Sequence, residues 1–312
     1  MDFFTHLTIS LLVSTLLSGS LINVYTLFGI FIGLLPDFDF LLFPLWKKVA
    51  LSGHHGITHT LGFILLVSCF IYALMTLFFG LSDQKLLLLM LLVGSLHIFG
   101  DFLGTGGVAP FYPFEKGYSS LNLDLGNNPI LMTCSFAGFI FLVIAGLGFF
   151  NFLDARVASI ILGLAYIIYF ALRAVLKLYF ERMPENRGFV ALPTTYPWNW
   201  TFARRTDSPD EIEIELKTAT EIKSYRIPKD KDHNIISCQD LVYSYWHPQV
   251  QAQMRFFRYP CYRIICEGDR KEIIWNSIAG KLTEVHVVVD QGELKVNTDL
   301  RKDGRGIIKE SR

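Results

Sequence analysis

The sequence predicts a polytopic α-helical membrane domain of about four to six membrane helices, followed by a small soluble β-rich domain. Hydrophobic residues make up 52% of the 312 positions and the formal charges cancel, and the mean hydropathy is +0.39. Long apolar runs fall in the first 180 residues, whereas charged, β-branched and aromatic residues follow. We therefore expect a membrane domain at 1–180 and a soluble domain at 181–312.

Four apolar runs are long enough to span a bilayer, which takes roughly 20 residues. They cover 60–81, 86–103, 130–150 and 158–180. Arg173 and Lys177 lie near the end of the last run, where we expect their long side chains to snorkel to the membrane surface. Two shorter runs, 7–17 and 25–35, predict a helical pair that either crosses or re-enters the membrane.

The region after residue 180 predicts strands. Residues 211–216 alternate strictly between glutamate and an apolar residue, which is typical of a half-buried strand. Gly268-Asp269 and Gln291-Gly292 are turn signals between candidate strands. The other strand candidates are 235–246, 262–266, 271–275, 283–289 and 293–296, and the polar tail 301–312 is expected to fray.

His97 and Asp101 stand four residues apart on a predicted helix, so both side chains lie on one face and can hold an ion between them. A hydrogen-bonded polar pair inside the membrane explains the same spacing about as well. Leu35-Pro36-Asp37-Phe38-Asp39 places two carboxylates where proline interrupts an apolar segment. Oxygen ligands on a turn suit a divalent cation, although aspartates at a helix end are also ordinary caps.

The segment Gly53-His54-His55-Gly56-Ile57-Thr58-His59-Thr60 is the sharpest signal, because it brings three imidazoles to the start of the next spanning helix. Imidazole is a usual zinc ligand, and the glycines let the backbone approach an ion closely. Chance histidines on a surface loop are the competing and less favoured interpretation.

Counting the spans brings these groups to one side of the membrane. If the loop 37–59 lies on one side, the helix 60–81 crosses away and 86–103 returns, so His97 and Asp101 come back to it. His6, at the start of the first short helix, and the β-rich domain are delivered to the same side. Basic residues of short loops are more frequent here, so the positive-inside rule predicts a cytoplasmic site. These residues are Lys47, Lys48, Lys116, Lys177, Arg182 and Arg187, against Lys85 and Arg156 opposite.

Together the motifs resemble the membrane-bound metal-dependent hydrolases, some bacterial members of which are described as LexA-regulated or LexA-binding inner-membrane hydrolases. The likeness covers most of the chain and is strongest up to about residue 114. Where the family commonly has arginine after the first histidine of the third motif, this chain has His55. A more distant likeness is to the ligand sets of zinc-dependent phospholipase C and P1-type nucleases. The matching residues are Thr5-His6, Leu34-Leu35-Pro36-Asp37-Phe38-Asp39, His54-x-Gly56-x-Thr58-His59-Thr60, His97-x-x-x-Asp101 with Thr105 and Gly106, and Pro110-Phe111-Tyr112-Pro113-Phe114.

The resemblance implies metal-assisted hydrolysis, with a phosphoester or phospholipid-type substrate at the membrane interface. We expect one to three divalent ions, zinc in preference to manganese, which would lower the pKa of a bound water from about 16 towards 7. Asp39 is expected to be a further ligand or the catalytic carboxylate that orients an imidazole or accepts a proton from water. The expected metal ligands are His6, Asp37, His54, His59, His97 and Asp101. The expected substrate contacts are His55, Thr58 and Thr105, of which His55 alternatively binds metal and either threonine alternatively caps a helix.

Two other functions fit the same residues. A non-enzymatic membrane metal-binding or transport protein would use the same ligands, although a transporter should hold them near the membrane midplane rather than at helix ends. Alternatively, residues 1–180 are an anchor and the β-rich domain binds a partner protein. That domain has no phosphate loop or nucleophile elbow. Without a basic excess we expect no nucleic-acid partner, and the expected partners are membrane lipid and the substrate.

Overall fold

The protein is described here by a computed structural model that covers residues 1–42, 57–114, 119–149, 154–208, 211–218, 220–228, 260–267, 270–277, 280–290 and 293–300. For residues 39–42 and for parts of several strands only the backbone is described. Helices make up the N-terminal part and two four-stranded sheets the C-terminal part, which confirms the predicted fold class.

The helices follow one another along the chain as two short and four long elements. The short ones are α1 (Phe3–Ser18) and α2 (Val24–Leu34), and the long ones are α3 (Leu61–Phe79), α4 (Gln84–Leu103), α5 (Pro129–Gly146) and α6 (Ala155–Arg182). Each long helix is apolar and long enough to cross a membrane. More than half of α4 is buried inside the protein, against about a tenth of α3 and of α6. Helix α4 is therefore central, whereas α3 and α6 expose apolar surface to lipid.

Helices α1 and α2 form an antiparallel pair that packs through small residues. A Cβ atom on Gly29 would lie 1.9 Å from the Ser14 hydroxyl, and one on Gly33 would lie 1.9 Å from the Ser10 hydroxyl. Only glycine allows the two backbones to approach this closely. The antiparallel pairing brings the first turn of α1 and the residues after α2 to the same end of the domain.

The residues after α4 pack back onto its last turn. The backbone N–H of Leu121 donates to the Phe102 carbonyl, and that of Leu123 donates to the Leu103 carbonyl. Near the start of this segment, Val108 packs against Ile64 of α3 and Ile98 of α4. The segment between α4 and α5 therefore holds the C-terminal end of α4 against the N-terminal end of α3.

Arg173 of α6 is fully buried, so the expectation that it snorkels to the membrane surface is wrong. Its guanidinium donates to Asp124 Oδ1 at 3.1 Å and to the Leu123, Thr194 and Tyr196 carbonyls. A buried guanidinium needs such partners, because an uncompensated charge inside a protein is costly. The carboxylate and three carbonyls satisfy it more completely than the membrane surface would.

The Cα positions divide the chain into two compact units. One contains Met1–Leu178 and Pro193–Asn199, and the other contains Tyr179–Leu192 and Trp200–Arg312. The β-rich unit holds strands in the orders β1-β2-β3-β4 and β5-β6-β7-β8. The strands are Val190–Pro193, Trp200–Asp207, Glu211–Lys217, Ile222–Pro228, Pro260–Glu267, Arg270–Ser277, Gly280–Asp290 and Glu293–Leu300, in order β1 to β8.

Five of the strand candidates coincide with strands, and their neighbours pair antiparallel as the alternating pattern requires. β1, β2 and β4 were not predicted from the sequence. The candidate 235–246 and the tail 301–312 lie outside the described residues.

Candidate metal centre

The centre begins with His97 and Asp101, which lie on one face of α4 as predicted. His97 Nε2 is 3.3 Å from Asp101 Oδ2. Both side chains are almost fully buried, although α4 is one of the membrane-spanning helices. Burial of a carboxylate in such a helix needs a compensating positive charge. The pair is therefore a candidate functional site.

Helix α1 adds His6, which contacts both His97 and Asp101. The Asp2 side chain accepts a hydrogen bond from the Thr5 N–H and so caps α1, which places His6 in the first full turn. His6 Nε2 lies 3.1 Å from Asp101 Oδ1, and the His6 ring stacks on the His97 ring with the centroids 3.7 Å apart. The Met1 ammonium also contacts Asp101 Oδ1.

Two 3₁₀ helices complete the cluster with Asp37 and His59. Asp37 lies in the 3₁₀ helix Leu35–Leu42, and His59 ends the 3₁₀ helix Ile57–His59 just before α3. Asp37 Oδ1 is 3.6 Å from Nε2 of both His59 and His97, and His59 Nε2 is 3.5 Å from Asp101 Oδ2. Four segments that are far apart in the sequence thus converge on one point.

The five side chains form two overlapping groups with metal-binding spacing. His6, Asp37 and His97 make one group, and His59, His97 and Asp101 make the other; within each group the ligand atoms lie within 4.8 Å of one another. His97 belongs to both groups. Imidazole nitrogens and carboxylate oxygens in such an arrangement are typical ligands of zinc and of other first-row divalent metals.

Asp37 is the most exposed of the five clustered side chains. Its side chain is 20% exposed, whereas those of the other four are 1% exposed or less. Burial raises the pKa of the Asp37 carboxyl, but the neighbouring imidazoles of His59 and His97 outweigh this, so the pKa lies below its ordinary value. Asp37 is therefore ionised at neutral pH.

Two further contacts orient the imidazoles, and sequence patterns did not predict either of them. His97 Nδ1 lies 2.7 Å from the Gly33 carbonyl oxygen, and because a carbonyl only accepts, Nδ1 carries the proton. Nε2 of His97 is then the nitrogen that faces the two carboxylates. Thr58 Oγ1 lies 3.1 Å from His59 Nδ1. The spacing Gly29-x-x-x-Gly33 was the available signal for the first contact, since it marks a close helix pair.

The other predicted site residues have more varied positions. Thr105 is buried just beyond the C-terminal end of α4. Asp39 lies on the same 3₁₀ helix as Asp37, but only its backbone is described. His54 and His55 lie outside the described residues. Five of the six predicted metal ligands are thus brought together, and the roles of all the predicted residues stay predictions.

A sequence model of the YdjM inner membrane protein family matches residues 1–180. The chain belongs to this family. The match covers α1 to α5 and most of α6, including all five clustered side chains, whereas the β-rich unit lies almost entirely beyond it. Comparisons with curated proteins and with solved structures find no match. Membership of the YdjM family and the four apolar helices together identify an inner membrane protein.

Proposed function

We propose that this YdjM family member is an integral-membrane, metal-dependent hydrolase that cleaves a phosphoester at the membrane interface. The observation that supports the proposal is the convergence of three imidazoles and two carboxylates on one buried point. His97 Nε2 and Asp101 Oδ2 are both buried, and neither forms a hydrogen bond within the described residues. With its proton on Nδ1, His97 faces this carboxylate with a lone pair, and a cation between the two would remove the repulsion.

The residues present also fit a metal ion by their chemistry. Three imidazoles with two carboxylates combine the borderline and hard ligands that zinc and manganese accept. The Gly33 carbonyl and the Thr58 hydroxyl hold two imidazoles in place, as is usual around metal-binding histidines. We propose that His54 adds a further ligand.

The chain's own residues would then position the substrate and move the proton. A bound divalent ion supplies Lewis acidity and lowers the pKa of a water at the centre. Asp37 lies at the exposed side, where a phosphoester and a water would enter. In this proposal Asp39 accepts the proton of that water, and His55, Thr58 and Thr105 hydrogen-bond the phosphoester oxygens. The centre lies near the ends of α3 and α4, so a headgroup phosphate and a free phosphoester are both within reach.

Metal content and hydrolysis of the detergent-purified full chain test the proposal. We expect stoichiometric zinc or manganese by mass spectrometry, and hydrolysis of bis-p-nitrophenyl phosphate that a chelator abolishes and added metal restores. His97→Ala should lose both metal and activity, because His97 belongs to both ligand groups. The matched control is His286→Ala, which removes a histidine in strand β7. This variant should keep both the metal and the activity. Asp39→Asn should keep the metal but lose turnover.

Different failures would have different meanings. A chain that takes up no metal when zinc or manganese is offered contradicts the proposal at its first step. A chain that binds metal but hydrolyses no phosphodiester or phospholipid is not a phosphoesterase. Zinc uptake into proteoliposomes, abolished by His97→Ala, would then identify a transport protein.

A further inference from the structure

Large apolar side chains are exposed beside the metal centre, at the N-terminal end of α3 and in the segments next to it. Phe114 is 93% exposed, although tryptophan, tyrosine and phenylalanine side chains usually bury much of their surface. We call this group the aromatic rim; it consists of Ile57, Leu61, Phe111, Tyr112 and Phe114, all of them exposed. A contiguous apolar surface of this kind marks a site of interaction with protein or membrane.

The rim is held rigidly on the helices that carry the metal ligands. The Leu61 N–H donates to the Pro110 carbonyl at 3.0 Å, which ties the turn to the first residue of α3. Within the turn, the Tyr112 N–H donates to the Ala109 carbonyl and the Phe114 N–H donates to the Phe111 carbonyl. Val108 and Ala109 are buried underneath. The turn is thus anchored by its backbone and buried residues, while its aromatic rings point outwards.

Helix length puts the rim at the edge of the hydrocarbon layer. Helix α3 has 19 residues, which at about 1.5 Å per residue is about 28 Å, close to the roughly 30 Å of a bilayer core. Leu61 begins this helix, so the turn bonded to it lies at the headgroup boundary. Tyrosine, as at Tyr112, is enriched at this depth because its amphipathic ring contacts both lipid and water, and the two phenylalanines add apolar surface beside it.

The rim is continuous with surface that already faces lipid. Leu65, Leu66 and Phe70 are exposed along α3, and α3 is a candidate membrane span with about a tenth of its residues buried. Leu61 is the first residue of this face, and Ile57 and Phe114 extend it beyond the helix end. A lipid leaflet is therefore the occupant that the neighbouring surface favours.

The rim also lies beside the open side of the metal centre. His59 stands between Ile57 and Leu61 in the chain and is buried, so it faces the centre while its neighbours face outwards. His59 lies next to Asp37, the most exposed of the five clustered ligands. A lipid headgroup held at the rim would therefore lie close to His59 and Asp37.

We infer that the aromatic rim inserts among lipid headgroups and that the substrate is a membrane lipid, whose headgroup phosphoester reaches the centre from the leaflet. This inference rests on the proposed hydrolase function for its substrate and on geometry alone for its lipid contact. The two parts are separable by experiment. Contact with lipid is measured without any turnover, and substrate preference is measured by comparing a lipid with a water-soluble phosphodiester.

Tryptophan fluorescence in nanodiscs measures the depth of the rim. The full chain carries Phe114→Trp or, for comparison, Phe70→Trp in the middle of α3, and the signal of the unsubstituted chain is subtracted. We expect bromine near the lipid headgroup to quench Phe114→Trp most, and bromine near the acyl-chain end to quench Phe70→Trp most. If acrylamide in the water quenches Phe114→Trp and no brominated lipid does, the rim does not contact lipid. If neither quencher reaches it, the β-rich unit or a second copy covers the rim, and the inference is overturned.

The rates of hydrolysis of two substrates measure the preference for a membrane lipid over a water-soluble phosphodiester. We expect Phe111→Ser/Phe114→Ser to lower hydrolysis of vesicle phospholipid by about tenfold or more, because it removes apolar contacts with the leaflet. Hydrolysis of bis-p-nitrophenyl phosphate and metal content should not change. Leu147→Ser/Phe149→Ser removes a similarly exposed apolar pair just beyond the C-terminal end of α5. This control should change the rate of hydrolysis of neither substrate.

The outcomes separate this inference from the proposed function. If the unsubstituted chain hydrolyses the soluble phosphodiester but not phospholipid, the proposed function stands and the lipid substrate is wrong. Equal losses on both substrates show that the rim supports the fold rather than lipid access. If the metal-loaded chain hydrolyses neither substrate, the proposed function fails, and the quenching result alone decides whether the rim contacts lipid.

Discussion

At the scale of single residues, His97 connects most of the centre. It shares a helix face with Asp101 and stacks on His6. Through Nδ1 it reaches Gly33 of α2, which is 64 positions away in the chain. The last contact decides which nitrogen is presented to the centre, and it depends on glycine at position 33, which lets α2 come close to both α1 and α4.

Gly33→Ala should therefore weaken metal binding without touching a ligand. The added Cβ would meet the Ser10 hydroxyl at 1.9 Å and Val93 Cγ1 at 2.7 Å, so α2 must shift and carry the Gly33 carbonyl away from His97. We expect metal affinity to fall by about 10- to 100-fold, as is typical when an outer partner of a ligand is lost. Titration of the stripped protein with zinc, using a competing chelator, measures the affinity.

Two controls belong to this measurement. Gly62→Ala in α3 adds a Cβ whose nearest neighbour is Thr60 Oγ1 at 4.0 Å, and it should leave the affinity unchanged. Ser10→Gly combined with Gly33→Ala removes the main clash and should restore part of the affinity. Unchanged zinc binding in Gly33→Ala alone would mean that the Gly33 carbonyl does not orient His97.

At the scale of elements, a second buried network holds the segment after α4. Asp124 accepts hydrogen bonds from Arg173, Asn128 and Tyr169. The Asp124 N–H donates to the carbonyl of Leu103, two residues beyond Asp101. Helix α6 therefore helps to position the end of the helix that carries two of the candidate metal ligands, through a network composed of a carboxylate, a guanidinium and backbone carbonyls.

Arg173→Met should destabilise the membrane unit by about 3–5 kcal/mol, because it leaves the buried Asp124 carboxylate without its counter-charge. Thermal or denaturant unfolding in detergent measures the change. Arg173→Met combined with Asp124→Asn should recover part of the loss, since neither charge is then buried alone. Lys177→Met, at a partly exposed position of the same helix where the ammonium donates to the Leu121 carbonyl, should cost less than about 1 kcal/mol. An equal loss of unfolding free energy in Arg173→Met and Lys177→Met would contradict a structural role for the network.

At the scale of the whole molecule, the ends of the spanning helices differ in charge. Lys177 and Arg182 lie near the C-terminal end of α6, whereas Lys85 and Arg156 lie at the N-terminal ends of α4 and α6. Basic residues are retained on the cytoplasmic side. We therefore propose that the metal centre and the β-rich unit face the cytoplasm.

Reporter fusions in the inner membrane test this orientation. Green fluorescent protein after Arg312 should fluoresce, and alkaline phosphatase at the same position should be inactive, because the former folds in the cytoplasm and the latter outside it. Fusions after Ser82, in the turn between α3 and α4, should give the reverse pattern. Active phosphatase after Arg312 would place the centre on the outer face and contradict the proposed orientation.

Sequence patterns anticipated the centre only in part. Helical periodicity predicted the His97–Asp101 pair, and counting the spans predicted that His6, Asp37 and His59 would reach the same end of the domain. The Gly33 carbonyl was missed because a backbone acceptor leaves no side-chain pattern. The burial of Arg173 was predicted wrongly, because the sequence does not show that Asp124 and the carbonyls of 194–196 lie next to it.

The sequence by itself determined the membrane-spanning helices, the alternating strand β3 and the identity of the candidate ligands. These follow from local free energies, since about 20 apolar residues favour the bilayer and a helix places residues four apart on one face. Only the tertiary structure decided which polar groups meet, which nitrogen of His97 faces Asp101 and which apolar residues remain exposed as the aromatic rim. Those depend on close approach between segments far apart in the chain, where one glycine at position 33 or one buried carboxylate at position 124 decides the geometry.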